Sequence, residues 1–215
     1  MTSLTEKIGL FPLNMVLFPA SYMPLHIFED RYKELINTCL VNKTYFGINL
    51  VLENNMSRVG ATARVVELLH KYDDGRMDVV ISGGRRYQLL SVDDKEKSFL
   101  TGTVEYFDDN DPALINDNLF DECVTMYNKI VDVVFHGEGE LTLQHSAGAN
   151  SNFSFLMAQK AGLQLQQKQS LLEMRDENSR LEYLFHHLQE LLPKINQAEQ
   201  VQNVIKADGY FARSR

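Results

Sequence analysis

Three prolines fall inside one apolar, strand-forming run, FPLNMVLFPASYMPLHIFEDRY from Phe11 to Tyr32. Pro12, Pro19 and Pro24 each lock φ and remove a backbone donor, so no long central strand can run through them. The strands here must be short, lie at a sheet edge or turn corners. The run closes on the acidic start of a helix at Glu29 or Asp30. A folded-over, barrel-like β unit meets these constraints.

More strand signals follow in the same half. Tyr45 to Leu52 (YFGINLVL) reads as a buried strand. Ala63–Tyr72 and Met77–Ile81 flank Asp73-Asp74-Gly75-Arg76, where Gly75 supplies the positive φ of a tight hairpin turn. Gly83-Gly84 interrupts a run that resumes as Arg85 to Val92, the mark of a bulge at which the strand bends. Leu100 to Phe107 adds one more strand. A helix through Tyr32, Leu35, Ile36, Cys39 and Leu40 is expected to cap one barrel opening.

After the turn-rich stretch Asp108 to Pro112 the period becomes helical, with Leu119, Cys123, Met126, Tyr127, Ile130 and Val134 on one stripe. His136 to Asn150 has no such period and reads as a long loop. Ser151 or Asn152 is placed to cap a helix from Phe153 to Ala161 that stops at Gly162. A short helix through Lys168–Glu173 and a longer one capped by Asp176 follow. Leu181, Leu184, Leu188, Leu191 and Ile195 form a seam on the latter, which Pro193 should kink or end. Val201, Val204 and Ile205 suggest a loosely docked terminal helix. The fold class is α+β: a barrel subdomain over residues 8–107 and a helical subdomain over 112–208.

Composition narrows the function. With 21 Lys+Arg against 29 Asp+Glu the net charge is −8, and an acidic chain repels phosphate backbones unless its cations cluster. Only Arg85-Arg86 approaches a cluster, so nucleic acid is not the expected partner. No basic leader precedes an apolar stretch and no run reaches bilayer length, so no membrane role and a cytoplasmic location are expected. Cys39 and Cys123 sit among aliphatic residues as core thiols of a reducing compartment.

The ordered motifs FPL-x-x-VLFP (Phe11–Pro19), PLHIFE-x-RY (Pro24–Tyr32), DGR (Asp74–Arg76), G-x-R-x-Y (Gly83–Tyr87) and KQ-x-LLE followed by Arg180-Leu181 resemble the substrate-recognition domain at the N-terminus of Lon proteases. The resemblance implies a small PUA-like β-barrel followed by a helical bundle, together one domain of that type. It also implies a function: a non-catalytic module that binds unfolded or extended polypeptide, as a stand-alone adaptor in protein quality control with a separate protease as a further partner. Asp30 departs from the proline common in the family, which a helix first turn tolerates. Full Lon proteases bind ATP through a GxxxxGK[ST] loop, and these 215 residues contain no Gly-Lys dipeptide.

The candidate peptide-binding residues are Met15, Phe18, Tyr22 and Met23, at a prospective apolar rim, with Arg85 and Arg86 as paired donors for a carboxylate. An edge strand offers a second route, capture of extended peptide by backbone pairing. Pro12, Pro19, Pro24, Glu29, Arg31, Tyr32, Gly75, Lys168 and Glu173 are read as structural, with Glu29 and Arg31 pairing to fix the barrel against its helix. No catalytic residue, metal site or cofactor is expected. His186-His187, with His136 and His145, lack the helical spacing of a zinc pair, and no serine lies in a nucleophile elbow. The alternatives are a small hydrolase using the His136–Asn150 loop and an RNA-binding PUA-like module.

Overall fold

The computed structural model describes residues 5–110, 115–135 and 153–211, with side chains as far as residue 205. The His136–Asn150 loop and the Ser151 or Asn152 cap lie outside the described residues. In chain order the elements are β1 (Thr5–Leu13), β2 (Tyr22–Ile27), α1 (Asp30–Asn42), β3 (Phe46–Leu52), β4 (Asn55–Lys71), β5 (Met77–Asp93), β6 (Thr101–Tyr106), α2 (Asp117–Phe135), α3 (Phe153–Lys160), α4 (Leu165–Glu173) and α5 (Glu177–Phe211). They fall into two units, Met1–Asp111 with Leu163–Arg175 and Pro112–Gly162 with Asp176–Arg215. The sequence reading places α4 among the helices, whereas in the structure it groups with the strands.

In the first unit β1 pairs in parallel with β3 and antiparallel with β6, while β4 joins β3 to β5. Because β5 also pairs with β6, strands β1-β3-β4-β5-β6 close into a ring, and β2 lies outside it on β5. Closure removes the free edges that an open sheet would leave. The two 17-residue strands β4 and β5 make it possible. Three register shifts between them bend the pair, so that one stretch serves the ring and the other carries β2.

Each proline sits where a missing donor does least harm. Pro12 pairs with Asn49 of β3 at a point where β1 has already parted from β6, whose last partner on β1 is Gly9. Pro19 lies in the connection from β1 to β2. The Gly83 N–H donates to the Ser21 carbonyl at 2.9 Å, which sets the phase of the β2–β5 ladder. Pro24 is one of the alternate residues whose backbone then faces the outer edge of β2, where it removes a docking donor. Peptide capture by strand addition along β2 is therefore disfavoured.

Two turns show how sequence signals succeed and fail. Gly75, with φ of 83°, makes the expected β4–β5 turn. The β3–β4 turn is made by Glu53 and Asn54, with φ of 49° and 65°, between the paired Leu52 and Asn55. Both central residues are left-handed, as the type I′ form of a two-residue hairpin requires, but no glycine announces the turn.

The core follows from the same geometry. Helix α1 buries Tyr32, Leu35, Ile36 and Cys39 against Phe11, Ile27, Phe46, Met77 and Val79. The Phe11 and Tyr32 rings stack at 3.9 Å, uniting the first and last residues of the proline-rich run. A second cluster holds Leu10, Tyr87, Leu89 and Val104. Tyr87, Gly60 and Asn49 form one row across β5, β4 and β3. Without a side chain at Gly60 the phenol crosses β4 and donates to Asn49 Oδ1 at 2.6 Å, and a Cβ on Gly60 would lie 2.6 Å from that hydroxyl. Tyr87→Phe leaves the buried amide oxygen without its donor and should cost about 1–3 kcal/mol in a urea unfolding titration.

In the second unit α2 and α3 pack on α5. The buried stripe of α2 is Phe120, Cys123, Val124, Tyr127, Ile130 and Val131, rotated from the sequence reading so that Leu119 and Met126 are half-buried and Val134 exposed. Asp176 caps α5 as expected, accepting from the Ser179 N–H at 2.7 Å, and Gly162 follows α3 with φ of 68°. Pro193 does not end α5, which continues to Phe211. Val201, Val204 and Ile205 thus belong to this same helix, and their side chains are exposed rather than docked.

Candidate functional site

A cleft of about 380 Å³ opens on the strand unit. Its floor is the bulge predicted at Gly83-Gly84. Ala61 pairs with Arg86 and Ala63 with Gly83, so Thr62 alone faces both Gly84 and Arg85, and its hydroxyl donates to the Arg85 carbonyl at 3.3 Å. The extra residue turns the chain and presents the Arg85 side chain to the cleft. Glycine is obligatory in this bend, because a Cβ on Gly83 would lie 2.0 Å from the Phe18 carbonyl oxygen and one on Gly84 2.5 Å from the Thr62 hydroxyl. Gly83→Ala must push backbone away from backbone, and thermal unfolding should report about 1–3 kcal/mol of destabilisation.

The walls carry charge and rings. Arg64, opposite Ser82 across the β4–β5 ladder, contributes a second guanidinium. The Arg85 guanidinium lies over the Tyr106 ring at 4.7 Å and reaches Asp108 at 3.4 Å. The Tyr106 hydroxyl donates to Glu6 at 2.7 Å, and burial, then that carboxylate, raises the phenol well above its ordinary range. Tyr45 completes the lining, which holds no histidine or cysteine.

Of the six candidate binding residues, the structure brings two to this region. Arg85 lines the cleft, and Tyr22, 64% exposed, pairs with Ser82 from the β2 side. Met15 and Met23 are half-buried against the core, and Phe18, at 2% exposed, is not at a rim. Arg86 is 5% exposed and donates to the carbonyls of Leu172, at 3.1 Å, and Met174, and to the Asp109 carboxylate. Its donors close the C-terminal end of α4 onto β5, which corrects its reading as a binding residue. Adjacent residues on a strand point to opposite faces, so Arg85 and Arg86 were never a pair. The cleft's second cation is Arg64, which sequence reasoning missed; its only signal is a charge following Ala61-Thr62-Ala63.

The residues read as structural have these places. Glu29 and Arg31 bond each other at 2.7 Å on the surface, with Arg31 over the Tyr32 ring, so they do not lock barrel to helix from within. Gln169, rather than Lys168, joins α4 to the sheet by donating to the Val59 carbonyl at 3.1 Å, and it also donates to Glu173 at 2.7 Å. Lys168 is half-buried and burial pushes its ammonium below the ordinary lysine value. Both cysteines are buried, and burial pushes the Cys123 thiol up to about 12. His187 meets the Ala161 carbonyl at 2.8 Å and His186 is exposed. Among the described residues no three His, Cys, Asp or Glu side chains are grouped to hold a metal, and no described helix is long and apolar enough to cross a membrane.

A closed small barrel with an outer strand, a helix clasped to it by Arg86 and Gln169, and a separate helical unit define an α+β domain of the Lon N-terminal type. The chain belongs to the family of the ATP-dependent protease La (LON) substrate-binding domain, which it matches over residues 7–190. Among relatives, it is 24% identical to Lon protease 1 of Hydrogenovibrio crunogenus over 90% of this chain and 25% of that one, and 26% identical to Lon protease of Escherichia coli K12 over 93% and 27%. It therefore spans about a quarter of the length of the curated relatives it matches. Two solved structures share the fold: the Lon N-terminal domain protein from Xanthomonas campestris (TM-score 0.64, 23% identity, 84% of this chain and 98% of that one) and the N-terminal domain of Mycobacterium avium complex Lon protease (TM-score 0.65, 15% identity, 86% and 98%). The motifs behind the resemblance now have physical roles. In G-x-R-x-Y, Gly83 admits the Phe18 carbonyl, Arg85 enters the cleft and Tyr87 spans the barrel row.

Proposed function

We propose that this protein is a recognition module that holds extended or unfolded polypeptide without making or breaking covalent bonds, and that it acts as an adaptor presenting such segments to a separate protease. The observation that carries this reading is the match to a substrate-binding domain along residues 7–190, through both units. Exposed Tyr22 beside an arginine-bearing cleft adds support, since an aromatic body with nearby planar donors suits polypeptide better than one fixed small molecule. Titration of the protein with a reduced, carboxymethylated polypeptide and with its native counterpart tests the reading. Saturable binding of the unfolded form alone is expected, weakened by Tyr22→Ala. No binding of either form at high micromolar concentration overturns it.

A further inference from the structure

We propose that the barrel cleft recognises a single carboxylate on the bound polypeptide, with Arg64 and Arg85 as the recognising cations; this rests on the polypeptide-binding reading above. The cleft volume, about 380 Å³, suits a side chain or chain end and its neighbours, within the roughly 300–1,000 Å³ typical of ligand pockets. Arg64 has no ion-pair partner among the described residues, although 29 acidic residues outnumber the 21 basic ones along the chain. Two guanidiniums against the single carboxylate of Glu6 on the lining concentrate cations in one cleft of an acidic protein.

Arg85 is ready for exchange. Stacking on Tyr106 orients its planar donors, whereas its contact with Asp108 is long and exposed, so an entering carboxylate can displace that partner with little loss. Ser82 is buried on the same lining, and its hydroxyl makes no hydrogen bond among the described residues, leaving a donor for the second carboxylate oxygen. The Gly83-Gly84 bend removes side chains that would hold a ligand away from the backbone. Glu6, fastened by Tyr106, sets the limit: a second acid on the ligand meets this carboxylate, so one isolated carboxylate fits and an acidic run does not.

The carboxylate can be a chain terminus or an Asp or Glu side chain, and four labelled peptides of otherwise uncharged sequence separate these sources by fluorescence anisotropy on the intact protein. One has a free C-terminus, one is its amide, and two further amides carry an internal Glu or Gln. The free-terminus peptide, the Glu peptide or both should bind at least five-fold more tightly than the neutral amides, with affinity falling as NaCl is raised. Preference for the first assigns the terminus, and preference for the second the side chain. Arg64→Ala and Arg85→Ala should each remove most of the preference, while Arg58→Ala, an equal charge loss on β4 outside the cleft lining, leaves it within two-fold. Equal binding of neutral and carboxylate peptides, or an equal loss in Arg58→Ala, overturns the proposal. Unfolded polypeptide titrated into the same proteins keeps the two claims apart. Retained capture without carboxylate preference rejects the cleft assignment alone, and absent capture rejects the recognition reading as well.

Discussion

Arg86→Met is expected to lower the free energy of unfolding by about 3–5 kcal/mol, the cost of leaving one half of a buried charged pair behind. The side chain answers three acceptors at once: Asp109, and the carbonyls of Leu172 and Met174 at the end of α4. Removing it takes a charged donor from each of the three, at a place where a helix C-terminus already concentrates negative partial charge. Its guanidinium also covers the Phe107 ring, which Arg175 covers as well at 4.2 Å. Arg86→Lys keeps the charge but offers a point donor in place of a planar fork, so it should recover only part of the loss. Urea titration followed by circular dichroism reads the difference. A loss below about 1 kcal/mol for the Met variant, the scale of an exposed pair, would show that the clasp is not a stabilising element.

An effect of similar size is expected in the helical unit from Arg180→Met, about 3–5 kcal/mol at neutral pH. Arg180 is 0% and Glu177 5% exposed, and they meet at 2.6 Å. Glu177 also accepts from the backbone N–H and hydroxyl of Ser154, so one carboxylate ties the start of α5 to the start of α3. The Arg180 guanidinium lies over the Phe155 ring at 4.5 Å. Burial raises the Glu177 carboxyl above its ordinary value, with Arg180 and Ser154 opposing. Without Arg180 that opposition weakens and the value rises further. A carboxyl with a raised folded-state pKa holds its proton more tightly when folded, so stability is lost as pH climbs from the unfolded value through the folded one. The deficit of Arg180→Met should accordingly shrink on acidification towards the ordinary carboxylate range. The double variant Glu177→Leu with Arg180→Met removes both charges and should recover only part of the loss, because the Ser154 N–H and hydroxyl then lose their acceptor, but its deficit should no longer depend on pH. A pH-independent deficit in the single variant Arg180→Met would mean that packing of the long side chain, not its charge, is what was lost.

Much of the architecture was legible because local chemistry announces it. The prolines, the Asp74-Gly75 turn, the Gly83-Gly84 bend, the Asp176 cap and the stop at Gly162 each place one backbone group, and each lies where its residue type requires. The Glu53-Asn54 turn was not legible, because only Asn54 is of a type that readily accepts left-handed geometry, while Glu53 is not and no glycine marks the pair. Of the two outcomes expected at Pro193, a kink or an end, the end does not occur. Propensity describes an isolated helix, while α5 is held by tertiary packing of Leu181, Leu184 and Leu188 in the turns before it.

The candidate site was legible in part, at the Gly83-Gly84 bend, at Arg85 and at Tyr22 beside it. Arg85 was singled out for its neighbour Arg86, yet strand alternation sends that neighbour inward to hold α4. The cleft draws instead on β1, β4, β5 and β6, and its cations come from residues 64 and 85. Order along the chain by itself determined the element types, the family and the proline-marked edges, since these depend on residues a few positions apart. Which arginine meets solvent and which is consumed inside was decided only by barrel closure, because register, bulge and strand face are properties of paired strands that no single segment carries.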